Sequence, residues 1–192
     1  MGYEVKHGIF KGVRIGDAVL AVALTAVGVL LMLGNIHDTT PDATAALKAE
    51  NLQHAITSDS WLMLPVFALV TVPILWRRRN ILAVVGVTAA ALAVHVVAFD
   101  WVVRCGAGLP LAFALAYGVG RLVNDRGVSI AGFAATLVVQ LLVLIRDAAA
   151  GIEILPVTAV LGAACWGAGI LVTRLVVKRV GAPTLDAEPV RG

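Results

Sequence analysis

The sequence predicts an all-α, polytopic integral membrane protein, with six transmembrane helices in one bundle and both termini cytoplasmic. Three observations lead there. The 192-residue chain is 60% hydrophobic and only 14% charged, with a mean hydropathy of +0.94. Ordinary globular chains carry about 25% charged residues, so there is too little polar surface here to cover a water-soluble fold. The apolar residues gather in runs long enough to cross ~30 Å of hydrocarbon. Between two such runs, Trp61–Leu75 and Ile81–Phe99, stands Trp76-Arg77-Arg78-Arg79-Asn80. One charged side chain at the bilayer centre costs ~2.5–3.5 kcal/mol and three cost ~8–10 kcal/mol. That point is therefore a turn in water, and the positive-inside tendency makes the water cytoplasmic.

The elements follow in order from that turn. A basic head with Lys6, Lys11 and Arg14 precedes helix one, about 15–34. The pattern Ala43-Thr44-Ala45 lies too far beyond the apolar run for signal cleavage, so helix one reads as uncleaved. The acidic stretch 35–60 carries Thr40-Pro41-Asp42 as a helix start, then Ala45, Leu52 and Ile56 at helical spacing. A short extracytoplasmic amphipathic helix is expected over about 41–56. Helix two, about 60–76, contains Pro65 and Pro73, which neighbouring helices can accommodate. Helix three, about 80–101, starts on a capping Asn80. Helix four, about 109–123, is the shortest. Helices five and six cover about 128–145 and 154–177, and 181–192 reads as a flexible cytoplasmic tail.

This topology can be tested by counting charge. Of the 15 Lys and Arg residues, all but Lys48, Arg104 and Arg146 fall on the cytoplasmic side. Trp61 and Trp101 fall at the outer interface and Trp76 at the inner one, as an aromatic belt requires. The basic residues thus serve topology, and no nucleic-acid partner is implied. The two cysteines, Cys105 and Cys165, come out ~15 Å apart in depth, too far to bond.

With the helices placed, the chain resembles the membrane-embedded N-terminal sensor region of bacterial sensor histidine kinases. The residues that carry the likeness are Asp17-Ala18-Val19-Leu20 opening helix one and Leu64–Ile74 running into Trp76–Arg79. Leu109-Pro110-Leu111-Ala112 then leads to Ala116-Tyr117 before Arg121, and the likeness spans about 14–180. The family usually has proline after the arginine turn, where this chain has Asn80; either can open a helix. The resemblance implies a role in sensing or in partner contact. It does not imply kinase activity: of the histidines, His7, His37, His54 and His95, none sits in a cytoplasmic helical hairpin, and no glycine-rich ATP lid is present.

Ionisable residues at membrane depth are the candidates for function. His95 on helix three and Gln140 on helix five come out at similar depth, so an interhelical hydrogen bond worth ~0.6–2 kcal/mol is expected between them. Asp17 lies near the inner end of helix one, within reach of Arg14, Arg77, Arg78, Arg79 or Arg121. Asp100 and Arg104 flank an outer loop, where they pair or stay solvated. Small residues recur four apart at Gly86/Ala90, Ala131/Ala135 and Ala163/Gly167, read as packing positions or a dimer face. The outer-loop residues His37, Asp38, Asp42, His54 and Asp59 match no metal-site spacing. No catalytic, cofactor-binding or metal site is expected, and midplane acids for ion coupling are missing.

The expected function is non-enzymatic: a sensor-like or accessory subunit of the bacterial inner membrane. It would act through helix contacts, passing a packing shift along helix six to its Arg174/Lys178/Arg179 end. Its partners would be the lipid bilayer and either another membrane protein or a second copy of the chain. The alternative is a small transporter or permease subunit with a pocket between helices three, five and six.

Overall fold

The computed structural model describes residues 13–37 and 52–180. Among the described residues six α-helices follow in chain order: α1 (Ile15–His37), α2 (Met63–Thr71), α3 (Ile81–Phe99), α4 (Cys105–Leu122), α5 (Arg126–Leu144) and α6 (Leu155–Val180). A 3-10 turn over Val72–Trp76 prolongs α2, and another over Ile152–Ile154 leads into α6. No strand forms among the described residues. Among the described residues five helices are long and apolar enough to cross a membrane, and the Met63–Trp76 segment is apolar but shorter. This is an all-helical architecture of the kind a multi-pass membrane protein requires, since only helices and closed barrels satisfy their own backbone in lipid.

Local chemistry sets the boundaries. Asn80 Oδ1 accepts the Ala83 N–H at 3.0 Å and starts α3; Asp125 Oδ1 accepts Val128 N–H at 2.8 Å and starts α5. Pro73 has no N–H to donate, so the α-ladder of α2 stops at Thr71 and tightens into the 3-10 turn. The segment expected as a helix over 41–56 lies mostly outside the described residues. Its described end, 52–56, is not helical. There the Gln53 and His54 N–H groups donate to the Ala148 carbonyl at 2.8 and 3.1 Å instead of closing helical turns. The tail 181–192 lies outside the described residues.

The bundle has two unlike ends. Arg77 and Arg78 reach Asp17 at the start of α1, and a small cleft lined by both also takes Arg121 from the end of α4. Arg126 at the start of α5 and Arg174 near the end of α6 line another cavity beside Gly120. These form the arginine end. At the opposite end the 52–62, 100–104 and 145–151 segments are woven together: Thr57 N–H donates to Trp101 O at 3.0 Å, and Ala148 N–H to Val102 O at 3.3 Å. His54 stacks flat on Trp101 at 3.8 Å.

The helix with the weakest apolar signal sits in the middle. α4 has a mean hydropathy of 1.3 against 2.4 for α1 and α3, yet it is the most buried, at 50% of its apolar stretch. It packs against α1, α3, α5 and most extensively α6. A central helix needs small residues so that neighbours can approach, and small residues lower hydropathy. Leu111, Leu115 and Val119 of α4 are fully buried in the main core.

The α4–α6 crossing is backbone on backbone. A Cβ at Gly120 would land on the Trp166 carbonyl oxygen, and one at Gly169 on the Tyr117 carbonyl oxygen. Thr173 donates its hydroxyl to the Arg121 carbonyl at 2.9 Å and closes the crossing. The small pairs singled out from spacing sit elsewhere: a Cβ at Gly86 or Gly167 meets nothing within 4 Å. Gly120→Ala is accordingly expected to destabilise the protein by about 2–3 kcal/mol, because a backbone oxygen cannot swing aside. Gly167→Ala is expected to be neutral or to gain ~0.5–1 kcal/mol from helix propensity. Unfolding in detergent micelles under increasing dodecyl sulfate, followed by circular dichroism, reads both.

Candidate functional site

Three polar centres break the apolar body, and each can be built from its residues. The first is at the arginine end. Asp17 stands third in α1, where an acid can reach back to the N-cap, and its Oδ2 accepts the Arg14 N–H at 3.2 Å. Its Oδ1 takes Arg77 Nε and Nη2, both at 2.7 Å, and its Oδ2 takes Arg78 Nε at 2.7 Å. The carboxylate is fully buried while the two guanidinium groups keep partial contact with the surroundings. Two cations on one carboxylate fasten α1 to the α2–α3 turn. Of the other candidates for Asp17, Arg79 is exposed and makes no ion pair among the described residues. Arg121 instead bonds the Tyr117 hydroxyl at 3.1 Å, its guanidinium lying over the same ring.

The second centre is a knot at the opposite end. Arg104 was expected in a solvated loop, paired with Asp100 or free, but it is fully buried. Its Nη1 donates to the Arg146 carbonyl and its Nη2 to the Asp100 carbonyl, each at 2.6 Å. Its Nε donates to His95 Nδ1 at 3.1 Å. The Asp100 carboxylate pairs with Arg146 at 2.8 Å, with both side chains about half exposed. Burial is thus what the loop weave imposes on Arg104. It pushes the guanidinium down to about 10, with the Asp147 and Asp100 carboxylates pulling the other way, so the cation persists at neutral pH.

Asp147, which the sequence reading did not single out, anchors this knot. It is fully buried. Its Oδ2 accepts the Arg104 and Cys105 N–H groups at 2.6 and 2.7 Å, and its Oδ1 those of Ala149 and Ala150 at 3.0 and 2.8 Å. Four backbone donors satisfy the carboxylate, and the Cys105 side chain hydrogen-bonds it as well. Asn35 of α1 adds a two-point clip, exchanging hydrogen bonds with the Val103 carbonyl and N–H at 3.1 and 3.0 Å.

His95 and Gln140, expected to bond each other, do not. Arginine can only donate, so His95 Nδ1 is the acceptor and its proton sits on Nε2. The ring is enclosed by Phe67 and Phe99, at 5.4 and 4.8 Å. Gln140 instead turns toward Gly162 of α6, where a Cβ would collide with its amide nitrogen. His95 Nε2 and both polar atoms of the Gln140 amide lack hydrogen-bond partners among the described residues. The two side chains face different neighbours.

The third centre is a cavity of about 470 Å³ at the arginine end, between α4, α5 and α6. Arg126, Ser129, Trp166, Ile170 and Arg174 are among its walls. It does not extend to His95 or Gln140. Ser129 is buried, and its hydroxyl oxygen accepts Trp166 Nε1–H at 3.0 Å. Among the described residues no group of three His, Cys, Asp or Glu side chains is arranged to hold a metal ion, and both cysteines are free thiols.

The fold and these centres define an α-helical protein whose apolar helices fit a multi-pass membrane protein. No family model, curated protein or solved structure matches the chain.

Proposed function

We propose that the chain is a six-crossing protein of the bacterial inner membrane, with the arginine end and both termini cytoplasmic. In this reading it acts as a non-enzymatic, sensor-like or accessory subunit through helix contacts with a membrane partner. The observation that carries the reading is α6. It is the longest helix among the described residues, yet only 17% of its apolar stretch is buried, against 50% for α4. Val157, Val160, Leu161, Leu171 and Leu175 all remain exposed on it. One side of α6 packs closely on α4, and the side that carries these residues is left free to meet lipid or another helix.

The buried charges point the same way. Asp17, Arg104 and Asp147 are consumed by contacts that hold helices and loops together, which suits a rigid body that transmits packing changes. The likeness to kinase sensor regions gives α6 its direction, since there the last helix leads toward the output.

Photo-crosslinking tests this. A benzophenone side chain at Val160 or Leu171 of α6 is expected to give a discrete protein adduct in native membranes. The same group at Val97 of α3, which is 81% exposed, is expected to give lipid adducts alone. Lipid adducts alone at every α6 position would remove the partner-contact reading.

A further inference from the structure

We infer that the cavity between α4, α5 and α6 is a binding site for the phosphate headgroup of an anionic lipid. The inference rests on the membrane reading above and adds a ligand to it. Arg126 and Arg174 both line the cavity, both are exposed, and neither makes an ion pair among the described residues. The neighbouring acid, Asp125, is occupied in capping α5. Two cations converge here with no carboxylate between them.

The walls change character with depth. Arg174 and Trp166 are eight residues apart on α6, so the cavity runs ~12 Å along the helix. Arg126 and Arg174 are exposed parts of the lining, and Ile170 and Trp166 are half-buried. Trp166 is backed by Phe133, stacked at 5.1 Å. Ser129 is 4% exposed and lines the cavity. Its oxygen accepts from Trp166, and its own hydroxyl proton has no acceptor among the described residues. The order from the exposed rim inward is two cations, then Ser129 side by side with Trp166 and with Ile170. That order matches a phosphate followed by its glycerol and the start of an acyl chain. A free phosphate would use the rim and leave Trp166 and Ile170 uncovered. The volume lies in the usual range for a small-molecule site, and guanidinium is the group suited to bidentate phosphate recognition.

The test uses the full chain in neutral detergent, with lipid binding read by native mass spectrometry. Phosphatidylglycerol is expected to bind about tenfold more tightly than phosphatidylcholine. Arg126→Ala/Arg174→Ala is expected to bring it down to the phosphatidylcholine level, and Arg126→Lys/Arg174→Lys to retain part of the preference. Arg79→Ala, at the same end but outside the cavity, should change nothing. Unchanged phosphatidylglycerol binding in the double alanine variant overturns the inference. So does displacement of the lipid by millimolar inorganic phosphate, which would assign the cations to a free anion. A chain that stays folded and soluble without detergent would instead defeat the membrane reading itself, so the two failures are distinguishable.

Discussion

Asp147→Ala is expected to be the most damaging single change, costing about 4 kcal/mol. Four backbone N–H groups, one buried and three part-buried, lose their acceptor at once, and a buried donor left unsatisfied costs ~1–3 kcal/mol. The loss is not the full sum, because loops at the end of a bundle can relax and admit water. Asp147→Asn keeps one carbonyl oxygen but turns an amide N–H₂ toward two of the donors, so about half the effect is expected. Asp100→Asn supplies the contrast. That carboxylate meets Arg146 with both side chains nearly half exposed, at 49% and 47%, and such pairs contribute ~0–1 kcal/mol. Equal losses for Asp147→Ala and Asp100→Asn would show that the loop weave does not depend on the buried carboxylate.

Asp17→Asn comes next, at about 3 kcal/mol. Removing one member of a buried ion cluster costs ~3–5 kcal/mol, since the remaining charge is left uncompensated. The lower end applies because Arg77 and Arg78 keep 17% and 27% of their side-chain surface exposed and can recover water. Arg77→Ala alone should cost less than Asp17→Asn, because Arg78 still neutralises the acid. The two arginine substitutions should then be non-additive, the double variant losing more than the sum of the singles. Strict additivity in sodium dodecyl sulfate unfolding would mean that the arginines act independently of Asp17.

The pattern of success in reading the sequence follows from what a sequence encodes. Hydropathy gives helix and depth, so an all-helical fold of long apolar segments was legible, as was an acid near three arginines at one depth. It does not give azimuth, the direction a side chain faces around its helix. His95 and Gln140 come out at similar depth from the sequence, yet one faces Arg104, Phe67 and Phe99 and the other Gly162. The same gap separates the small residues: Gly86 and Gly167 face away from the bundle and do not pack within it, while Gly120 and Gly169 make the close contact. α4 read as the shortest helix, about 109–123, because the glycines and alanines that let it sit in the centre dilute its hydropathy and hide its first turn, which starts at Cys105. Arg104 read as an ordinary loop charge and Asp147 was not singled out, since three loops separated in sequence must fold over them before they are buried. One local signal was there to find. Asp147 is followed by Ala148-Ala149-Ala150, and an aspartate before small residues readily accepts the next backbone N–H groups.

The central claim is that lipid surrounds the bundle and that its arginine end faces the cytoplasm. Substituted-cysteine accessibility in intact spheroplasts tests it most directly, with Cys105 and Cys165 first replaced by alanine. Cysteine at Ile152, exposed at the woven end, should react with a membrane-impermeant maleimide added from outside. Cysteine at Asn124, exposed at the arginine end, should react only after the membrane is permeabilised. Labelling of both from one side, or the reverse pattern, would contradict the account.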